Sequence, residues 1–188
     1  MLASAVTTLI WFFPVSEVAL ALRARSRAIG ARSEDHGSFA LLWTVFGLAI
    51  AAATWLSFQG WAPLPLPPAL RDALVLALMG SGLLLRWAAI LTLGRFFTVD
   101  VAIHGDHAVV RRGPYAWVRH PSYSGLLLLF LGLALHMGDA LSFLVLMLPV
   151  CVAGWRRIRI EETALLQGLG EPYADYCRET RRLIPGLL

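Results

Sequence analysis

The stretch PSYSGLLLLFLGLALHMGDALSFLVLMLPVCVAGWR, Pro121 to Arg156, decides the fold. A bilayer core takes about 20 mostly apolar residues in one helix, so this run is too long for a single crossing. Gly138 and Asp139 interrupt it with a turn signal between two apolar arms. The spacing predicts a helical hairpin with arms 121–137 and 139–156. Pro121 suits the first helical position, because its fixed φ is helical and its missing N–H would be unpaired there anyway.

The rest of the chain is made of the same material. Of 188 residues, 58% are apolar and 15% charged, 16 more are glycine, and the mean hydropathy is +0.68. Soluble domains carry roughly 45–50% apolar residues with glycine included, and about a quarter charged. An ordinary soluble domain and a disordered chain are both excluded, which leaves an integral membrane protein. All 16 basic residues are arginine, so neither a Schiff-base lysine nor a P-loop lysine exists. The net charge of +4 comes from arginines that flank apolar spans, where they orient helices rather than bind nucleic acid. Cys151 lies in an apolar run and Cys177 in a polar tail, which suggests no disulfide and no metal site.

Three further spans precede the hairpin. Met1 to Leu22 contains Pro14 and Glu17; it lacks a basic start and runs at once into Arg23, Arg25 and Arg27, so it reads as a retained helix rather than a cleaved leader. Phe39 to Trp61 carries tryptophans at 43, 55 and 61, and the following Pro63, Pro65, Pro67 and Pro68 break it. Ala69 to about Leu93 is interrupted by Arg86. The predicted class is thus an all-α integral membrane protein with five transmembrane helices, the last two a hairpin, and a cytoplasmic cofactor pocket. Fourteen arginines fall in 23–38, 94–120 and the tail from 156, which the positive-inside rule makes cytoplasmic, with the amino terminus outside. A bacterial or archaeal inner membrane is the expected location. Residues 1–93 form the three-helix part, and 94–188 form the catalytic region, comprising 94–120, the hairpin 121–156 and the segment 157–188.

Polar variety is concentrated in two places. The first runs from His107 through Tyr115, Arg119, His120 and Tyr123 to Gly125. Arg119 and His120 sit at the positive end of the fourth helix, beside backbone donors expected to be free, where an anion such as a carboxylate should bind. Arg119 taken alone also fits a snorkelling arginine, and Tyr123 an aromatic-belt residue. The second is Arg156-Arg157-Ile-Arg159-Ile-Glu161-Glu162. Adjacent helical residues point about 100° apart, so the two glutamates cannot form one paired-carboxylate site. Pairing of Arg157 with Glu161 and of Arg159 with Glu162 on a solvated helix end accounts for the spacing equally well. Gly168 and Gly170 then stop the helix, and Pro172 begins a last one, polar enough for the surface, that carries Tyr173 and Tyr176.

Gly113-Pro-Tyr-Ala-Trp-Val-Arg-His-Pro-Ser-Tyr-Ser-Gly125, followed by Arg157-Ile-Arg-Ile-Glu-Glu162 and Gly170-Glu-Pro-Tyr173-Ala-Asp-Tyr176, resembles the isoprenylcysteine carboxyl methyltransferase family. That resemblance implies S-adenosylmethionine as methyl donor and a lipophilic small molecule, isoprenoid-like or prenylcysteine-like, as acceptor, in contact with membrane lipids. It also implies that His107, Val109, Val110, Tyr115, Arg119, His120, Tyr123 and Glu162 bind the cofactor, and that Arg157 and Glu161 face the acceptor. Related phospholipid amine methyltransferases carry a similar Arg-His-Pro signature. Sterol reductases resemble the family in their membrane-embedded part but use a nicotinamide cofactor, and a non-enzymatic scaffold would keep the helices alone. Two charges lie within spans: Glu17 roughly 8 Å and Arg86 roughly 10 Å from the same side. At that depth they could pair or snorkel separately.

Overall fold

The computed structural model describes residues 2–25, 32–33, 38–97, 102–103 and 109–186. Among the described residues six α-helices carry the fold: α1 (Leu2–Arg25), α2 (Ser38–Gln59), α3 (Pro68–Leu93), α4 (Pro121–His136), α5 (Ala140–Leu169) and α6 (Glu171–Glu179). Two short strands, β1 (Arg32–Ser33) and β2 (Ala102–Ile103), pair antiparallel with Arg32 opposite Ile103. Strand β2 also lies against α5.

Four helices contain stretches long and apolar enough to cross a membrane, Leu2–Leu20, Ala40–Gln59, Pro68–Leu93 and Ala140–Leu169. The expected fifth crossing, α4, has 16 residues, about 24 Å at 1.5 Å per residue, against a hydrocarbon core of about 30 Å. Among the described residues, length and composition thus support four full crossings, with α4 an apolar helix short of that length. The second hairpin arm runs on without a break into the charged segment, as the stop expected at Gly168 and Gly170 implies. It continues past Arg156 to Leu169, because arginine and glutamate are good helix formers and the edge of an apolar stretch need not end a helix. Gly170 ends it at φ +61°, a conformation only glycine adopts cheaply, and α6 follows with Pro172 in its first turn.

The interior is built where α1, α2 and α4 meet. The Phe130 ring lies edge-on to Phe46 at 4.6 Å and to Phe13 at 5.9 Å, with Val75, Met79 and Leu146 closing around them. Helices α3 and α4 approach until their backbones touch: a Cβ on Gly125 would stand 2.6 Å from the Gly82 carbonyl and 2.8 Å from the Arg86 nitrogen. Gly125 therefore serves helix packing of the small-residue kind used in membranes.

At the opposite end the proline-rich loop is stitched to the hairpin turn. The Leu64 amide donates to the Gly138 carbonyl, and the Ala140 amide to that of Ala62. Asp139 caps α5 by accepting from the Ser142 amide, and its other oxygen accepts from the Ala62 amide at 2.7 Å. These bonds hold the Asp139 carboxyl below the usual carboxylate range.

Candidate functional site

The site lies at the end where α4 begins and the charged half of α5 stands. Its floor is an intramembrane ion pair. The Arg86 guanidinium grips Glu17 with two bonds of 2.5 Å, and its remaining nitrogen donates to the Ser122 hydroxyl and carbonyl. Both side chains are buried, so the pair joins α1, α3 and the first turn of α4, and separate snorkelling does not occur.

The mouth of α4 differs from the sequence expectation. Pro121 is its first residue and His120 its cap, as read. The backbone donors beside them are not free, however. The Arg119 amide donates to the Arg181 carbonyl and the His120 amide to that of Arg182, because the carboxyl-terminal segment runs alongside, bridged in parallel at Val118 and Arg181. A carboxylate does sit at this positive helix end, and it is the protein's own Glu162. Its Oε1 accepts from Arg119 Nε at 2.9 Å and lies 3.3 Å from His120 Nε2, while Oε2 accepts from Arg182 Nε at 2.9 Å. Glu162 is thus turned away from Arg159, which stays exposed, so the expected Arg159–Glu162 pairing is absent.

Helix α6 lies on the surface as expected, with one face docked against the site. Tyr173 and Tyr176 are buried, and the Tyr176 hydroxyl donates to the Tyr115 carbonyl at 2.6 Å. Arg119 reaches across to the Cys177 and Thr180 carbonyls, and Arg111 pairs with Glu179 at 2.5 Å. Cys151 and Cys177 are both free thiols, and burial raises the Cys177 thiol above its ordinary range.

Between these two locked regions Glu161 stands among tyrosines. The Tyr123 hydroxyl faces its carboxylate, and Tyr123 in turn packs edge-on against His120 at 5.8 Å. Tyr115 and Tyr173 are held well above the ordinary tyrosine range, first by burial and then by the Glu161 charge. Buried Arg157 lies one helical turn before Glu161 and within its field. The Tyr173 hydroxyl is buried without a hydrogen-bond partner among the described residues, with the Cys177 sulfur as a weak neighbour. Buried hydroxyls are normally bonded, so this one stands apart from its neighbours.

Of the sequence-derived residues, the structure brings Tyr115, Arg119, His120, Tyr123, Arg157, Glu161 and Glu162 to one end of the bundle. Val109 and Val110 are half-buried on the way into Tyr115, and His107 lies outside the described residues. Sequence reasoning missed Tyr173 as a site residue and Arg182 as a partner of Glu162. The motif spacing held Tyr173 in view, but nothing local signals that its hydroxyl is buried.

Residues 74–167, half of the chain, match the model of the isoprenylcysteine carboxyl methyltransferase (ICMT) family. A protein-S-isoprenylcysteine O-methyltransferase of Tribolium castaneum is 36% identical over 115 residues, which is 55% of this chain and 38% of that protein. Its Mus musculus counterpart is 30% identical over 150 residues, 77% of this chain and 46% of the mouse protein. The solved structure of a eukaryotic intramembrane Ras methyltransferase ICMT superposes over 99% of this chain and 67% of that one, with a TM-score of 0.63 and 26% identity. The chain spans about half the length of the curated relatives it matches. These relatives lend no support to the phospholipid-amine or sterol-reductase readings. They are eukaryotic, which does not favour the expected bacterial or archaeal membrane, and their names specify a protein-borne isoprenylcysteine rather than a small molecule.

Proposed function

Because this chain belongs to the isoprenylcysteine carboxyl methyltransferase family, we propose that it is an S-adenosylmethionine-dependent membrane methyltransferase that esterifies the carboxylate of a prenylated cysteine. The observation that carries the reading is the gathering of Tyr115, Tyr123 and Tyr173 about Glu161, with Arg157 buried beside it. S-adenosylmethionine, when bound, supplies an electrophilic methyl group on a sulfonium.

The residues present fit such a donor. Electron-rich tyrosine faces and one carboxylate suit a sulfonium, and the unpartnered Tyr173 hydroxyl suits a polar group beside it. Val109 and Val110 would line the cofactor's approach, as would His107. Glu162, Arg119 and His120 hold one another, so their part is to keep the α4 mouth and α6 in register with the pocket.

Arg157 would grip the acceptor carboxylate with its planar fork. That carboxylate is ionised at neutral pH, so no general base is needed. What remains for the protein is to align acceptor and donor and to exclude water. In this reading α4 makes a thin fifth crossing, the arginine-rich segments face the cytoplasm, and the acceptor's lipid chain enters from the bilayer.

Arg157 supplies the test. Arg157→Ala should abolish most methyl transfer to an S-prenylated cysteine while S-adenosylmethionine affinity changes little, and Arg157→Lys should fare scarcely better. Full activity in the lysine variant would contradict a forked grip on a carboxylate.

A further inference from the structure

One face of α5 runs unbroken from apolar to basic. Leu144, Leu148 and Val152 are exposed along it at helical spacing, 51%, 62% and 69% respectively, and Trp155, Arg156 and Arg159 continue the same stripe. A groove of about 590 Å³ opens at the junction, lined by Val152, Trp155, Arg156, Arg159, Ile160 and Thr163 among others. The Trp155 indole is steadied from the far side by the Arg182 guanidinium, 5.0 Å from its ring centre. Tryptophan at such a junction marks the level of lipid headgroups.

The arginines of the groove differ from their neighbours. Arg86, Arg111, Arg119, Arg178 and Arg182 each hold a carboxylate within 4 Å. Arg156 and Arg159 hold none among the described residues and are exposed. Three residues apart on a helix, they face the same side, about 5–6 Å apart at Cβ. Two unneutralised forks at that separation match the oxygens of one phosphate diester, and the apolar strip below matches an acyl chain.

We propose that this strip binds one anionic phospholipid, its phosphate held by Arg156 and Arg159 beside Trp155 and its acyl chain laid along Val152, Leu148 and Leu144. Charge complementarity selects the lipid. A zwitterionic headgroup would bring its own ammonium against the two guanidiniums, whereas a headgroup with net negative charge would not. The site is distinct from the tyrosine–Glu161 cluster, so it can be tested without methyl transfer.

The full chain, purified in a neutral detergent, is titrated with phosphatidylglycerol, with phosphatidylcholine and with inorganic phosphate while thermal melting is followed, and native mass spectrometry counts retained lipid. Phosphatidylglycerol should raise the melting temperature saturably with one molecule retained, and the other two ligands should not. Each arginine near an anionic lipid contributes about fivefold in affinity, so Arg156→Gln/Arg159→Gln should bind about 25-fold more weakly. Arg112→Gln/Arg181→Gln, which removes the same charge elsewhere, should bind as the parent does. If the first double variant fails to fold, each single substitution should still show its fivefold loss. The proposal is overturned by equal responses to the two lipids, by equal losses in both double variants, or by a dimer whose formation excludes the lipid.

Discussion

Glutamine or leucine at Glu17 exposes how much of this bundle rests on one intramembrane ion pair. Arg86 makes two bonds of 2.5 Å to Glu17, and both groups are almost fully withdrawn from solvent. Removing one member of a buried pair leaves an uncompensated charge and costs about 3–5 kcal/mol. Glu17→Leu should fall in that range. Arg86→Met should cost about 1–2 kcal/mol more, because the bonds to the Ser122 hydroxyl and carbonyl are lost as well. The double variant should be less damaged than the sum of the singles, since it leaves neither charge behind, and the coupling should reach at least about 2 kcal/mol. Unfolding of the detergent-solubilised protein, followed by loss of helical circular dichroism across a denaturant series, measures all four corners of the cycle. A coupling below about 0.5 kcal/mol would refute the pair and restore independent snorkelling.

Gly125→Ala should destabilise by about 1–3 kcal/mol, read as a lower melting temperature, because its methyl group would meet the α3 backbone where Gly82 and Arg86 lie. Glu162→Gln should cost about 3 kcal/mol and free the segment at residues 180–183, seen as faster hydrogen exchange there, since Arg119 and Arg182 lose their shared carboxylate. Tyr173→Phe should leave stability nearly unchanged, the hydroxyl having the Cys177 sulfur as a weak neighbour and no hydrogen-bond partner among the described residues, yet weaken S-adenosylmethionine about fivefold in calorimetry. Burial pushes the Tyr176 hydroxyl up to about 12, against an opposing pull from Arg119. Its contribution to stability should therefore be complete below about pH 10 and vanish as pH rises through about 12, with tyrosinate absorbance appearing as α6 detaches.

The membrane class, the hairpin and the helix-capping prolines were legible because apolar runs, turn residues and proline act locally. The Glu17–Arg86 pair could be suspected from depth alone, since rise per residue converts sequence position into ångströms. The end of α5 was legible too, because Gly168 and Gly170 mark it and the helix stops at Leu169. The partners of Glu162 were hidden: Arg119 stands 43 residues before it and Arg182 20 after, and no periodicity links them. The same holds for the carboxyl-terminal segment, whose carbonyls occupy amides that a helix start would otherwise leave open. Motif residues thus divide into those that bond one another, His120, Arg119 and Glu162, and those that the proposed function assigns to the cofactor, Tyr115, Tyr123, Tyr173 and Glu161. Spacing alone could not separate the two sets.

The central claim is that the tyrosine–Glu161 cluster receives S-adenosylmethionine. Isothermal titration of the folded, purified chain with S-adenosylmethionine and its demethylated product measures this directly. The account predicts saturable one-to-one binding of both, weakened at least tenfold by Glu161→Gln while the melting temperature of the ligand-free protein changes little. No heat of binding for either ligand, together with saturable binding of a nicotinamide dinucleotide, would contradict it.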